Sequence, residues 1–222
     1  FRDATNLVKI DLNMIEELGF KAFANTGLEE VIMPNNLTYI EEQVFANCDN
    51  LRRVVISNDC CNFDYSNIFY QSYHIEEIVV EDFNKYYLYE NGVLYNSTKT
   101  VLYAYNDKSS SEFVIPEGVE KIALNAFYQN TTLEKVVLPS TLKAIGDKAF
   151  YGCTSLKTFV FLSDTAPALE GLYQEGMPYA NFVDYIELVP ENGLEVTIYY
   201  NGDESYQTII WQSYFKNYEV IE

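Results

Sequence analysis

The chain has 222 residues, 48% of them apolar, which is enough to build a sizeable core and excludes a disordered chain. Fourteen Lys and Arg against 33 Asp and Glu leave a net charge of −19, a surface that repels phosphate and argues against nucleic acid and anionic membranes as partners. Four Cys make no disulfide scaffold, a single His cannot supply a multi-His metal site, and no apolar run is long enough for membrane insertion.

From the first residue the chain is periodic. Phe recurs in one context at Phe1, Phe23, Phe45, Phe69, Phe127 and Phe150. Five or six residues after each Phe comes Leu7, Leu28, Leu51, Ile75, Leu133 or Leu156. Two further apolar columns follow: Ile10, Val31, Val54, Ile78, Val136 and Phe159, then Leu12, Met33, Ile56, Val80, Leu138 and Phe161. Before the Phe, at minus five, stand Leu18, Ile40, Ile122 and Ile145; at minus eight stand Ile15, Leu37, Val119 and Leu142. A spacing near 23 with an L-x-x-L-x-L core is a leucine-rich repeat spacing, and it predicts a solenoid in which each coil buries its apolar face on its neighbours. Alternation makes Leu-x-x-Val-x-Leu a short strand. Pro34, Pro116 and Pro139 follow strands, where the missing N–H ends the ladder. Phe1 already stands in the Phe column, so the sequence is expected to begin inside a coil, as a fragment would. The minus-five column of the Phe69 copy holds Asp64, so that coil is expected to be distorted or to use Phe63 instead.

Residues 83–112 interrupt the period. Two strand-like runs surround Asn91-Gly92, a strong hairpin signal, and a third, Thr100 to Tyr105, completes a predicted three-stranded meander. Six Tyr lie between 86 and 105. They serve either as cross-strand packing or as an aromatic contact patch.

The period resumes over 113–162. Its best copy runs Ile115-Pro116-Glu117-Gly118-Val119-Glu120-Lys121-Ile122, then Ala126-Phe127, Leu133 and Val136; the next contains Ala149-Phe150-Tyr151-Gly152-Cys153-Thr154-Ser155-Leu156. This pattern resembles the BspA-like class of bacterial leucine-rich repeats over roughly residues 1–162. The resemblance implies a leucine-rich repeat solenoid of short parallel strands, with the Ala-Phe-x-x-Cys stretch as a short helical turn on the opposite wall. The Asn-Gly-Val-Leu-Tyr-Asn insertion is similar to one common in that family, which makes 1–222 one domain with repeats at about 1–82 and 113–162. The resemblance also implies a secreted or cell-surface bacterial protein that binds host or neighbouring-cell proteins or glycans without a cofactor or metal. Residues 163–222 lack the Phe column. Val196 to Tyr200 is strand-like, and Tyr206, Trp211, Phe215 and Tyr218 suit a helix that closes the last coil as a C-terminal cap.

Little catalytic chemistry is visible. Cys48 and Cys153 stand three after a Phe, where a buried small residue is expected; Cys60-Cys61 is a vicinal pair; His74 precedes a strand as a polar edge residue. No phosphate loop, zinc motif or nucleophile elbow occurs. Asn36, Asn96 and Asn130 head short sequons. A carboxylate-dependent glycosidase and a structural spacer stand as alternatives to a binding module. Period-two alternation turns two strand columns away from the core. The first contains Arg53 and Lys135 among charged neighbours; the second is Asp11, Ile32, Val55, Val79, Val137 and Val160. The aliphatic second column reflects either strand propensity or a docking stripe rimmed by Arg53 and Lys135 and continued by Tyr87, Tyr89, Tyr95 and Tyr103. The expected partner is a protein or glycan, and the expected state is a monomer.

Overall fold

The computed structural model describes residues 1–170, 197–207 and 217–221. The chain divides into two compact units, residues 1–98 and 99–222. Each is a leucine-rich repeat solenoid.

The first unit contains β1 (Glu17–Leu18), β2 (Glu30–Met33), β3 (Tyr39–Ile40), β4 (Arg53–Ile56), α1 (Tyr65–Ile68), β5 (Glu77–Val80), β6 (Tyr87–Glu90) and β7 (Val93–Asn96). Strands β2, β4 and β5 pair in parallel, with Val31, Val54 and Ile78 in one inward row and Met33, Ile56 and Val80 in the next. The opposite wall pairs β1 with β3, placing Leu18 beside Ile40. One coil is therefore a strand, a turn, a two-residue strand and a return turn. Strands β6 and β7 form the expected antiparallel hairpin. Asn91 and Gly92 both take positive φ, 50° and 78°, as a two-residue hairpin turn requires.

The second unit contains β8 (Val101–Tyr105), β9 (Glu112–Val114), β10 (Lys121–Ile122), β11 (Lys135–Leu138), β12 (Ala144–Gly146), β13 (Thr158–Phe161), β14 (Ala168–Glu170), β15 (Thr197–Tyr200) and β16 (Asn217–Val220). One sheet runs β9-β11-β13-β15-β16, all parallel. The other wall runs β8-β10-β12-β14, also parallel. The run expected as the third meander strand is also a strand of the solenoid wall: Leu102 pairs with Ile122, and the Tyr105 ring lies 5.1 Å from that of Phe127, tilted by 33°, in the place of a repeat Phe.

The return turn explains the Phe column. Phe1, Phe23, Phe45 and Phe69 stack with ring centroids 5.5 Å apart and planes within 13°. Phe127 and Phe150 stack at 4.6 Å. Offset aromatic pairs of this kind add about 0.5–1.5 kcal/mol each beyond burial. The backbone reinforces them. The amide of Phe23 donates to Val44 O, that of Phe45 to Ile68 O and that of Phe127 to Ala149 O, at 2.7–3.0 Å. Residues two before and two after the Phe are left-handed: Lys21 and Asn25, Gln43 and Asn47, Asn125 and Gln129, Lys148 and Gly152. These positive φ values break an i→i−4 ladder, so the stretch expected as a helical turn is instead a pair of tight turns closed by i→i−3 bonds such as Ala24 N to Lys21 O. The Phe69 coil is the exception. There Asp64 is exposed and caps α1, accepting from the Ser66 and Asn67 amides at 3.0 and 3.2 Å, while Phe63 fills the core as expected.

Three residues after the Phe, a small polar side chain ties coil to coil. Ser72 Oγ donates to Phe45 O at 2.6 Å, Cys48 Sγ to Phe23 O at 3.3 Å and Cys153 Sγ to Phe127 O at 3.0 Å. Both cysteines are buried, as expected, and burial pushes the Cys153 thiol up to about 12 and raises that of Cys48. Coil spacing is also fixed at Gly146. A Cβ there would lie 2.5 Å from Leu124 N and 2.8 Å from Ala123 C, against backbone that cannot yield.

At the two described ends of the expected cap helix, Tyr206 and Tyr218 lie outside any α-helix. Tyr206 lies in a 3₁₀ turn, Glu204–Gln207, fully buried, with its hydroxyl bonded to Ser163 and Thr165. Tyr218 lies in β16, opposite Ile198, because it continues the inward row Val136, Phe159, Ile198. Trp211 and Phe215 lie outside the described residues.

Phe150 is held between the stacked ring of Phe127 and the edge of Phe159, 4.8 Å away. Phe150→Ala should cost about 3–5 kcal/mol, while Phe83→Ala at an exposed site should change stability by no more than about 0.5 kcal/mol. Denaturant titration of both variants distinguishes them; equal effects would mean the column bears no load.

Alkaline pH should also destabilise the fold. Burial holds the Tyr95, Tyr206 and Tyr218 phenols at about 12 alongside the Cys153 thiol. Their raised values favour the protonated fold, so this stability is complete below the unfolded-chain values, about 8.5 for Cys and 10 for Tyr, and is lost as pH rises towards 12. Thermal melts across that range should show a progressive fall; a flat profile would contradict the burial.

Candidate functional site

With no catalytic constellation in the sequence, the outward strand faces are the place to look. In the first unit, register brings Glu30, Arg53 and Glu77 side by side, and next to them Ile32, Val55 and Val79. The Arg53 guanidinium bonds Glu30 on one side and Glu77, at 2.9 Å, on the other. Those two carboxylates hold its already high pKa higher still, the Glu30 hydrogen bond most of all. Arg53 is thus committed to a ladder within its own sheet.

The second unit repeats the arrangement with a longer apolar row. Glu112, Lys135, Thr158, Thr197 and Asn217 form the first column, with Lys135 Nζ 2.8 Å from Glu112. Val114, Val137, Val160 and Tyr199 form the second, ending at Glu219. Alternation buries the residues between them: Val136, Leu138, Phe159, Phe161, Ile198 and Tyr200. At about 4.8 Å per strand the four apolar side chains span roughly 14 Å.

The expected site residues fare unevenly. Ile32 is 46% exposed, whereas Val55 is only 7% exposed. Val55 stands on the middle of three strands, between Ile32 and Val79, so neighbours cover it from both sides. Val79, Val137, Val160, Arg53 and Lys135 are half-buried. Of the two readings of the tyrosines, cross-strand packing has the support of burial: Tyr87 and Tyr95 are each 2% exposed. The Tyr87 hydroxyl donates to Phe63 O and accepts from Phe63 N at 2.7 Å, its ring 5.0 Å from that of Phe63. Tyr95 faces Leu88 across the hairpin. Tyr89 and Tyr103 are half-buried. Aromatic packing is therefore the main use of the hairpin tyrosines.

The sequence reading missed Val114, 58% exposed and the first member of the second-unit stripe. Its signal was present: Glu112-Phe113-Val114-Ile115-Pro116 has the same pattern as Lys135-Val136-Val137-Leu138-Pro139. It was missed because no repeat Phe precedes it and Ser110 stands where Leu133 precedes Val136 by three. Tyr199 was missed because the strand containing it lacks a preceding repeat Phe.

Other candidates prove structural. Asn130 is buried, its side-chain amide donating to Asp107 O at 2.8 Å and its oxygen accepting the Leu133 amide at 3.1 Å. Cys60 and Cys61 are free thiols. Cys60 donates towards Cys61, which raises the Cys60 thiol and lowers that of Cys61. Among the described residues no group of three or more His, Cys, Asp and Glu is placed to hold a metal ion. No described helix is long and apolar enough to cross a membrane.

Comparison with known proteins agrees with the geometry. The BspA type leucine rich repeat region matches residues 1–101 and 98–173 in six copies. Comparison with curated protein sequences gives no match. Among solved structures, the pneumococcal vaccine antigen PcpA is similar with a TM-score of 0.52 at 16% identity, over 94% of this chain and 71% of that one. A leucine-rich repeat protein of Eubacterium ventriosum gives 0.44 at 19% identity, over 91% of this chain and 51% of that one. A leucine rich cell surface protein of Faecalibacterium prausnitzii gives 0.44 at 18%, over 94% and 52%. The chain spans about half the length of these last two. At such identities the PcpA likeness speaks for the fold alone.

Arg53→Met should leave Glu30 and Glu77 facing each other across the missing cation. The groups are about one-third exposed or more, so the loss should be about 1 kcal/mol or less at low salt and should shrink as salt rises. Urea titrations at low and high salt test this; a salt-independent loss would assign Arg53 to packing alone.

Proposed function

Because the chain belongs to the BspA-type leucine-rich repeat family, we propose that it is a non-catalytic binding module of a secreted or cell-surface bacterial protein, docking another protein on the strand face of its second unit. The observation that carries this is the row Val114, Val137, Val160 and Tyr199, adjacent in register on four consecutive strands and outside the core. The solenoid needs apolar residues only in its inward rows. An outward apolar row flanked by charged and hydroxyl side chains has the composition of a protein interface, an apolar centre with a polar rim. A glycan fits it less well: three of the four side chains are aliphatic, and sugar faces stack on aromatic rings. The cell-surface assignment rests on family membership.

The test is a binding screen of the purified chain against arrayed extracellular proteins and glycans, followed by the double variant Val114→Lys/Val137→Lys. A protein partner should be found, and the double variant should bind it at least about tenfold more weakly at an unchanged melting temperature. Binding that survives both changes assigns the column to strand propensity, and a glycan as the only ligand rejects the protein reading.

A further inference from the structure

The charges around the valine stripe are unevenly distributed. At the side where the strands begin, three cations of the second unit are matched coil to coil. Lys135 lies 2.8 Å from Glu112, Lys157 3.0 Å from Glu134, and on the other wall Lys143 2.7 Å from Glu120. At the side where the strands end, the pattern is different. Glu117 follows β9, Asp164 follows β13 and Asp203 follows β15, each two or three residues past the last inward residue. Glu219 ends the stripe itself, in register with Tyr199. Among the described residues none of these four carboxylates is in an ion pair.

Two of these anions, Glu117 and Asp203, are fixed in place. Glu117 accepts from Ser140 N and Ser140 Oγ, both at 3.0 Å, so it lies over the next coil. Asp203 accepts from Ser205 N at 2.8 Å. The hydrogen bonds hold both carboxyls below the usual range, so their charges persist in mildly acidic conditions. Asn201 Nδ2 donates to Asp164 O at 2.9 Å, which ties the loop after β13 that contains Asp164 to the loop after β15 that contains Asp203. The excess of 33 acidic over 14 basic residues adds a long-range field of the same sign.

We infer that the partner of the stripe is a basic protein surface, with an apolar ridge seated on Val114, Val137, Val160 and Tyr199 and Lys or Arg side chains reaching Glu117, Asp164, Asp203 and Glu219. This rests on the binding reading above and gives the partner its chemistry. An acidic or neutral ridge would leave those carboxylates desolvated without a counter-charge, which costs affinity, whereas a basic one is steered in and paired.

The experiment uses two synthetic peptides of equal length, one alternating Val with Lys and the other Val with Glu, titrated against the whole chain by fluorescence anisotropy. Three variants are compared: the stripe variant Val114→Ser/Val137→Ser, the rim variant Glu117→Gln/Asp164→Asn/Asp203→Asn, and a charge control in the first unit, Glu16→Gln/Glu42→Gln/Asp49→Asn. The Lys peptide should bind and the Glu peptide should not. The rim and stripe variants should each weaken binding about tenfold or more, and the control less than about twofold. Failure of the Lys peptide to bind, or equal losses in rim and control variants, overturns the basic-partner inference. Loss in the stripe variant without loss in the rim variant overturns it while sparing the docking face. Loss in the rim variant alone sinks the docking face as well.

Discussion

Everything in this fold depends on the bond a coil cannot make with itself. The amides of Phe23, Phe45 and Phe127 point along the stack and find their acceptors in the turn of the following coil, at Val44, Ile68 and Ala149. The two left-handed residues that flank each of these Phe aim its amide there. With the amides engaged, the rings fall into a stack, and the strand register on the far side of the coil follows from the same spacing. An isolated coil would keep unsatisfied amides and an open ring face, so stability is a property of neighbours.

The parts legible in the sequence were those that every coil must repeat. Phe23, Val31 and Met33 recur because burial leaves no choice, and they predicted parallel rows that the structure contains. The hairpin was equally legible, since Asn91-Gly92 has one good conformation. What escaped were substitutions that keep a role while changing the letter. Tyr105 replaces a Phe, and Leu102 precedes it by three residues where Ile122 precedes Phe127 by five, so an in-register coil looked like insertion. The turn wall was misjudged for another reason. Ala-Phe-x-x-Cys has helical composition, yet Lys21, Asn25, Gln43 and Asn47 carry positive φ, a property that residue type alone announces only for Gly and, more weakly, Asn.

The candidate site was half legible. Alternation fixed which residues turn outward, but burial depends on what lies to either side. Val55 is closed in by Ile32 and Val79, whereas Val114 is open. Tyr87 and Tyr95 show the converse: a tyrosine-rich stretch resembled a contact patch because tyrosine suits both a surface and a core that offers its hydroxyl a partner. Phe63 supplies that partner to Tyr87 through its own backbone. In the ladders, charge is used against charge inside the protein.

The direction of the Phe amides has a further consequence. In the turns of Phe23, Phe45 and Phe127 the backbone amides donate to the following coil, so that wall of the stack has an arrow. Along that wall the two ends of a stack are chemically unlike, one offering carbonyl acceptors and the other amide donors. A whole coil gained or lost in the interior leaves every remaining coil with the same kind of neighbour on each side. Length becomes a variable that evolution can change in steps of one coil, stretching or shortening the outward face without redesigning any turn.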